Sequence, residues 1–411
     1  MANTVFASND PLTHKLWSKS TIMYALANMV LLPLMGSTPD SIVWVKKDLL
    51  KEPGDTITFP GDAPMDEAGV GDDGNTETNE EALEKRNAKV EVHERAHAAR
   101  PAGKMSMQRT DVYKAAGFRA YAKDRLGIWA KEAWEKDLVN SAAGLYNENA
   151  SGAAIETINE SYPTANRIRY GGQSIGSSPA LGTTYSTDAA LTAGTQANNL
   201  FGTLVVNVVR AKALSCAPRF RCGRFYQQAR DPAGAFDQRN QRAQKLVGEL
   251  YTLLAQPYQV NSMRSEIGSI GWNQMVAACA ARSDQHPVFQ PGAVLWNGVI
   301  IQEYDRVPLR TGAGGTTLAE GFLLNAGRTA TTDPCANTRS VARALFMGAQ
   351  AMCFAWAQML QWHEDWVDGR IPRVIIDMIY GVKRTIMNAH GTSTPGEDEA
   401  IYCIDTEVIV T

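Results

Sequence analysis

The chain has 411 residues, of which 44% are hydrophobic and 20% are charged, so it can bury a sizeable core and is not globally disordered. Its 40 basic and 43 acidic side chains give a net charge of -3. An electrostatic clamp on nucleic acid needs a clear basic excess, so this balance argues against one. Six widely spaced cysteines argue against a disulfide framework and favour a reducing compartment.

The first 40 residues predict an arm that contains a buried helix. Lys15 and Lys19 precede an apolar stretch over 22–35, an order that signal peptides also show. The stretch begins late, however, Asn28 interrupts it, and no small-residue cleavage site follows. It is also too short to cross a bilayer, which takes about 20 apolar residues.

The second predicted feature is a projecting hairpin. Residues 41–50 and 55–59 are rich in β-branched and aromatic side chains and predict an outgoing strand, and residues 89–98 predict the return strand. Between them, residues 62–84 carry nine acidic side chains and no basic one. A segment with so few large apolar groups cannot bury a core of its own. Because its charge is one-sided, we expect it to contact a basic surface of a neighbouring subunit.

A long helix is predicted from Thr110, a plausible N-cap, to about Ser141. Its apolar residues recur every three or four positions, which places them on one face. Gly117 and Gly127 are weak helix formers and predict bends. The apolar face comprises Ala115, Phe118, Ala122, Leu126, Trp129 and Ala133.

The rest of the chain predicts a mixture of helices and strands. Residues 171–199 carry a single charge and predict an extended connection. The sequence then predicts helices over 198–214, from Pro257, over 271–281 and over 339–361, strands over 246–254 and 401–410, and a hairpin around Asn297-Gly298. Without βα alternation or a fixed repeat, this order indicates the α+β class.

One short motif matches a zinc-protease pattern. Residues 93–97 read His-Glu-Arg-Ala-His, which binds zinc when both histidines share one face of a helix and the glutamate acts on a metal-bound water. Here Val90 and Val92 alternate with polar residues, a strand period. In a strand Glu94 points away from His93 and His97. No third ligand follows at a suitable spacing, so we predict two polar strand histidines.

Other candidate motifs are equally incomplete. Residues 312–317 are glycine-rich but lack the phosphate-binding lysine. Asp72, Asp73 and Glu77 match no calcium-loop register, and two cysteines, Cys216 and Cys222, do not make a zinc site. Tryptophans at 129, 134, 272, 356, 362 and 366 fit helical patterns and predict packing. We therefore predict no catalytic, cofactor-binding or metal-binding residues and no cofactor.

Several segments resemble, in collinear order, one family of major capsid proteins of tailed double-stranded-DNA bacteriophages. The similarity is weakest over 146–245. The matching segments are residues 7–11 (ASNDP), 15–18 (KLWS), 46–59 (KKDLLKEPGDTITF), 68–73, 79–83, 95–100, 103–109, 295–308 (LWNGVIIQEYDRVP), 344–351 (ALFMGAQA) and 380–388 (YGVKRTIMN).

This resemblance implies the Hong Kong 97-type capsid fold, of class α+β. It places residues 93–97 on the return strand of the hairpin. The implied parts are an N-terminal arm (1–40), an extended β-hairpin loop (41–104), a peripheral domain (105–200) with a spine helix at about 110–141, an axial domain with return segments (201–395), and a C-terminal strand rejoining the peripheral domain (396–411).

The resemblance also implies a function. The chain would be a structural subunit and not an enzyme, assembling with other copies into hexamers and pentamers of an icosahedral head around double-stranded DNA. Portal, scaffold or decoration proteins and non-specifically contacted DNA are the implied further partners, with no membrane. The implied location is the virion, after assembly in the host cytoplasm. The alternatives are a nanocompartment shell of the same fold that encloses protein cargo, and a zinc hydrolase that rests on residues 93–97 alone.

Overall fold

The computed structural model describes residues 11–50, 53–62, 85–101, 115–144, 167–175, 179–186, 190–191, 194–216, 220–227, 245–266, 293–307, 309–311, 317–318, 340–367, 371–388 and 395–408. The helices in these ranges are α1 (Pro11–Ala27), α2 (Ala115–Ala143), α3 (Thr203–Ser215) and α4 (Pro257–Arg264). The strands are β1 (Met35–Gly36), β2 (Val43–Lys46), β3 (Thr56–Asp62), β4 (Lys85–Glu91), β5 (His93–Ala99), β6 (Ile168–Tyr170), β7 (Gly223–Gln227), β8 (Lys245–Ala255), β9 (Ala293–Trp296), β10 (Val299–Glu303), β11 (Leu309–Thr311), β12 (Thr317–Leu318), β13 (Ser340–Met347), β14 (Met352–Val367), β15 (Ile371–Arg384), β16 (Ile386–Asn388), β17 (Pro395–Asp398) and β18 (Ile401–Val408).

A five-stranded sheet carries the two long helices on one face. Its order is β1-β2-β14-β15-β5, with the antiparallel pair β14–β15 at the centre. Trp17 of α1 stacks on Trp362, and Trp134 of α2 packs edge-on against Trp356. Both sheet tryptophans pair in register with even-numbered residues of β15, so they lie on the same face. The helices α1 and α2 therefore form one layer over this sheet.

The two helices touch at Gly127. A Cβ at this position would lie 2.8 Å from Cδ1 of Tyr24 and 3.7 Å from the Thr21 methyl group. Lys123 extends over the Tyr24 ring, with Nζ 5.7 Å from the ring centroid. The missing side chain thus lets the arm helix approach the spine helix. The helix is continuous from Ala115 to Ala143, and Gly127 lies at its crossing with the arm helix.

We expect Gly127→Ala to destabilise the subunit even though alanine is the better helix former. The substitution gains about 1 kcal/mol of helix propensity, but the new methyl group forces Tyr24 or the arm to move. Chemical denaturation of Gly127→Ala, Tyr24→Ala and the double variant would measure the coupling. Without the Tyr24 ring the new methyl group meets no clash, so adding Gly127→Ala to Tyr24→Ala should be neutral or stabilising. Additive effects of the two substitutions would contradict the proposed contact.

The second sheet is larger and contains nine strands. Its main order is β12-β11-β13-β8-β10-β9, with β18 and β6 beyond β13 and with β7 against β8. The helices α3 and α4 contribute to a separate apolar cluster on this sheet, built around Val209, Val260, Tyr251 and Phe346. The C-terminal strand β18 pairs with β13 along its whole length, and Sγ of Cys403 lies 3.9 Å from the Ala142 carbonyl oxygen at the end of α2.

The loop-rich connection is held at the start of α3. The side-chain oxygen of Gln173 accepts hydrogen bonds from the N–H groups of Leu204 and Val205, at 2.7 and 3.1 Å. Glu266 accepts from the N–H and hydroxyl of Thr203, at 3.0 and 2.6 Å. Two distant side chains thus satisfy the free donors of this helix end, as side-chain caps do elsewhere.

The hairpin β3–β4 is anchored at its base. Its strands pair antiparallel from Thr56–Glu91 to Asp62–Lys85. Phe59 packs edge-on against Trp44, with ring centroids 5.2 Å apart, and Lys46 donates to the Thr58 carbonyl oxygen at 2.8 Å while its Nζ lies over both rings. The acidic residues 63–84 connect these strands and lie outside the described residues.

One prediction was wrong. The expected helix over 339–361 is instead β13 and β14, joined by a turn in which Gln350 has φ 57°. The run is apolar nearly throughout and is buried in the interior of both sheets. An uninterrupted apolar run does not distinguish a buried strand from a buried helix. Trp356, Trp362 and Trp366 consequently lie in a strand, and not in a helical pattern.

Most other element predictions are confirmed with shifted ends. The spine helix is α2, the predicted helix over 198–214 is α3, and the strands over 246–254 and 401–410 are β8 and β18. Asn297 and Gly298 form the turn between β9 and β10 with φ 45° and 74°. The predicted N-cap Thr110 and the helix over 271–281 lie outside the described residues. The strand over 41–50 is shorter, since only Val43–Lys46 is extended.

Candidate assembly surfaces

The histidine motif at 93–97 lies on a strand, β5, as its period-two pattern predicts. The expected return strand over 89–98 is however interrupted at Val92: only β4 pairs with β3, so residues 93–97 belong to the five-stranded sheet and not to the hairpin. This strand pairs antiparallel with β15, and His93, Arg95 and His97 alternate with Glu94 along it. The two histidines therefore share one side of the sheet and Glu94 points to the other, which is not the helical geometry that the zinc-protease chemistry requires.

Arg95, at the centre of that motif, is structural. Its guanidinium donates to Asp137 of α2 at 2.5 Å and to the Tyr380 hydroxyl at 2.9 Å, and all three side chains are buried. Burial alone would lower the pKa of Arg95, but Asp137 and Tyr380 outweigh it and raise the pKa. Burial, with Asp137 next to it, raises the pKa of Tyr380 well above its usual value. This charged triad ties β5 and β15 to the spine helix.

His97 packs against the spine helix. Its ring stacks on Trp129 with centroids 4.6 Å apart. Partial burial, followed by the charge of Arg95, lowers its pKa. In the part of the chain that the structure describes, no group of three or more His, Cys, Asp or Glu side chains is close enough to hold a metal ion.

The remaining candidate motifs contribute no assembled site among the described residues. Cys216 and Cys222 are half-buried thiols. Burial raises the pKa of Cys353 and Cys403 to about 12, so both remain protonated and unreactive. The glycine-rich residues 312–316 and the acidic Asp72, Asp73 and Glu77 lie outside the described ranges.

The helical layer leaves large apolar side chains uncovered, a feature that the sequence patterns did not reveal. On α1, Leu16 is 67% exposed and Met23 is 62% exposed, and they lie two turns apart on one stripe. On α2, Tyr121 and Ile128 have the same spacing and are 53% and 36% exposed. Each stripe lies opposite the buried residues of its helix, such as Ala25 in α1 and Leu126 in α2. Both stripes therefore point away from the sheet.

The same surface carries exposed cations. Lys15 and Lys19 lie beside the α1 stripe, and α1 contains no acidic residue. Arg125 lies between Tyr121 and Ile128, and its guanidinium carbon is 5.3 Å from the Tyr121 ring centroid. We call the surface formed by Leu16, Met23, Tyr121, Ile128 and these three cations the two-helix face. It is apolar and has a basic excess, because the half-exposed Asp124 on the same stretch of α2 lies 3.5 Å from the Lys123 ammonium. The exposed surface of a monomer more often scatters its large apolar groups singly.

The buried arm helix expected over 22–35 is only partly correct. The helix spans Pro11–Ala27, followed by a short 3₁₀ turn at Leu32–Leu34. Thr21, Ala25 and Met29 are buried, while the outer side of the helix is exposed. None of the helices that the structure describes is long and apolar enough to span a membrane.

These features define a class of protein. Within the described residues there is an arm helix laid on a spine helix, an anchored hairpin, and an uncovered apolar face. An uncovered apolar face of this kind is typical of a protein that packs against other protein surfaces.

Comparison with known proteins identifies the class more closely. Residues 5–410 match the family of phage capsid proteins, so this chain belongs to that family. No curated protein sequence matches the chain.

Solved capsid structures share its fold. The capsid of Ralstonia phage GP4 superposes with a TM-score of 0.63 at 20% identity, over 99% of this chain and 98% of that one. The capsid of cyanophage Pam1 gives 0.55 at 17% identity, over 94% of each chain, and the head of Helicobacter pylori bacteriophage KHP40 gives 0.57 at 12%, over 92% and 90%. The fold is therefore the Hong Kong 97 type, and the chain is a structural subunit of a phage head.

Proposed function

We propose that this subunit assembles with copies of itself into the hexamers and pentamers of an icosahedral head that encloses double-stranded DNA, and that its role is structural and not catalytic. The family match over nearly the whole chain is the observation that carries this proposal. Portal, scaffold or decoration proteins are proposed as further partners, and the packaged DNA is contacted without sequence specificity. Assembly is proposed to occur in the host cytoplasm. The family match favours a phage head over a nanocompartment shell.

The proposed domain layout follows the parts implied by the resemblance. The arm is residues 1–40, the extended loop 41–104, the peripheral domain 105–200, the axial domain with return segments 201–395 and the C-terminal strand 396–411. Packing of α2 on the five-stranded sheet supports a peripheral unit to which the return segments β14 and β15 belong, and the separate cluster around α3 and α4 supports an axial unit. The C-terminal strand contacts the end of α2 but pairs with β13.

The two-helix face is the proposed contact for the acidic segment of a neighbouring subunit. Eight acidic residues lie between 63 and 84 with no basic residue, which complements the exposed Lys15, Lys19 and Arg125. The apolar Leu16 and Met23 would be covered in the same contact. Charge pairs of this kind orient the partners, and the covered apolar area supplies the affinity.

We expect the triple variant Lys15→Glu, Lys19→Glu, Arg125→Glu to fold normally but to assemble poorly. Juxtaposed like charges cost several kcal/mol across an interface, so the yield of closed shells should fall at least about tenfold. Electron microscopy with sedimentation would measure this yield, and thermal unfolding would show that the subunit is intact. Shells at wild-type yield would reject the assigned contact.

A reciprocal exchange makes the test specific. Asp72→Lys with Asp73→Lys should by itself reduce assembly, and combining it with the triple variant should restore part of the yield, because the charges again oppose each other. Reversal of Lys47, Lys89 and Arg100, three exposed cations on other elements, changes the net charge equally; it is the matched control and should leave the yield unchanged. If the control fails equally, net charge and not this contact governs assembly.

A further inference from the structure

The hairpin β3–β4 packs on the face of the five-stranded sheet that the helices α1 and α2 leave free. Phe354 and Trp356 of β14 point toward the helices, so Cys353 and Ala355, which alternate with them, point to the opposite face. There they form one buried apolar cluster with four hairpin side chains, Ile57, Phe59, Ala88 and Val90. Because apolar burial is non-directional, this cluster holds the hairpin on the sheet but constrains its angle only weakly.

Two lysines of the sheet hold the backbone of this hairpin. Lys46 of β2 donates to the Thr58 carbonyl oxygen of β3 at 2.8 Å, and Lys383 of β15 donates to the Lys89 carbonyl oxygen of β4 at 3.0 Å. Thr58 and Lys89 are directly opposed in the β3–β4 register. Both hydrogen bonds therefore end on the same opposed pair, one on each strand. A two-stranded hairpin has no third strand to pair with its outer carbonyl groups, so side chains can reach them.

The two lysines reach the hairpin from opposite sides of β14. Lys46 pairs in register with Ala355, and Lys383 pairs with Cys353, on the strands that flank β14 to either side. Lys46 also lies over the rings of Trp44 and Phe59, with Nζ 5.2 and 5.3 Å from their centroids. The hairpin thus lies over β14 with one ammonium group bonded to each of its strands.

The hairpin has a second support three residues farther along each strand. Gly61 and Arg86 are the opposed pair at this point. The Met387 sulfur of β16 occupies the space that a Cβ at Gly61 would need, and Arg86 forms an ion pair with Glu399 after β17, with an N–O distance of 3.4 Å. The two supports are about 10 Å apart along the strands and together define the line on which the hairpin runs toward residues 63–84.

We propose that Lys46 and Lys383 are positioning residues that set the direction in which the hairpin projects. Their hydrogen bonds are directional, and with both in place the Thr58–Lys89 pair cannot swing to either side of β14 about the second support. The consequence for a shell rests on the proposed function, because there the direction of the hairpin decides whether residues 63–84 reach the two-helix face of a neighbouring subunit.

Two native cysteines supply the test. Cys353 is fully buried beneath the hairpin, and Cys403, equally buried in the nine-stranded sheet, is an internal reference. In unassembled subunits that carry both Lys46→Met and Lys383→Met, N-ethylmaleimide should alkylate Cys353 at least about fivefold faster than in the wild type, because losing hydrogen bonds from charged donors raises the population with a displaced hairpin. The rate at Cys403 should not change. Peptide mass spectrometry measures both rates.

Matched variants separate positioning from a general effect of charge. Lys47→Met with Lys89→Met removes the same charge from two exposed lysines nearby and should leave the Cys353 rate at the wild-type value. Arginine can still donate to a carbonyl oxygen, so Lys46→Arg with Lys383→Arg should keep Cys353 protected.

Three results would overturn the proposal: an unchanged Cys353 rate in the methionine double variant, an equal acceleration at Cys403, or a loss of protection in the arginine variant. Each methionine variant alone leaves one strand of the hairpin bonded and should give a smaller acceleration than the double variant. No shell forms in this assay, so its outcome is separate from that of the charge-reversal tests of the neighbouring-subunit contact.

Discussion

Replacing Arg343 by methionine should destabilise the subunit by about 3–5 kcal/mol, one of the two largest single-site effects that we expect. Arg343 and Asp405 are each 1% exposed and form a two-point ion pair between β13 and β18, with N–O distances of 2.7 and 2.6 Å. A third donor of Arg343 reaches the Ala143 carbonyl oxygen at 2.9 Å, where α2 ends. Methionine would leave the Asp405 carboxylate buried without this cation. Urea unfolding of the unassembled subunit measures the loss.

Two comparisons separate this effect from a general loss of charge. Arg264→Met breaks the pair with Glu303, whose N–O distance is 2.8 Å but whose side chains are 40% and 30% exposed, and it should cost less than about 1 kcal/mol. Joint replacement of Arg343 by methionine and Asp405 by leucine removes both buried charges and should recover much of the loss. If Arg343→Met and Arg264→Met lowered the free energy of unfolding equally, burial would not determine how much an ion pair contributes to stability.

Elements with a strong local signal were predictable from sequence. The period of Phe118, Ala122 and Leu126 indicates the spine helix, and Asn297-Gly298 indicates a tight turn because both positions require positive φ. Alternation around Val90 placed the histidine motif on a strand and so argued against a zinc site. In each case the residues themselves restrict the backbone.

Features that depend on tertiary pairing were not predictable. Residues 340–367 contain alanine, leucine and methionine, which favour helices, but they form β13 and β14 because both sheets bury them. Arg95 has two partners, Asp137 at a distance of 42 residues in sequence and Tyr380 at a distance of 285. No local sequence pattern links residues so far apart. The two-helix face was missed for the same reason: exposure of Leu16 and Met23 depends on which side of α1 the sheet covers.

The second large effect is expected for Trp134→Ala, which should cost about 3–5 kcal/mol. Trp134 is 1% exposed, its ring centroid is 5.2 Å from that of Trp356, and its Nε1 donates to the Met378 sulfur at 3.1 Å. It also lines a half-open pocket of about 590 Å³ between the arm and the five-stranded sheet, together with Leu26 and Phe354. Replacing Trp134 by alanine would enlarge this pocket, which the neighbouring side chains already leave unfilled. Movement of those side chains into the vacated volume should therefore recover little of the lost stability.

Trp17→Ala is the matched comparison, because this half-buried tryptophan stacks on Trp362 with centroids 5.7 Å apart at the other end of the same helical layer. The cost of this truncation should be smaller, about 1–2 kcal/mol, since folding buries less of the Trp17 side chain and Trp17 does not line the pocket. Equilibrium unfolding of both variants gives the comparison. If the free energy of unfolding of Trp134→Ala lies within about 1 kcal/mol of the wild-type value, the arm must collapse into the pocket, and the helical layer is deformable. A large cost means instead that the arm is held at a fixed height above the sheet, as the two-helix face requires if its two stripes are to form one surface.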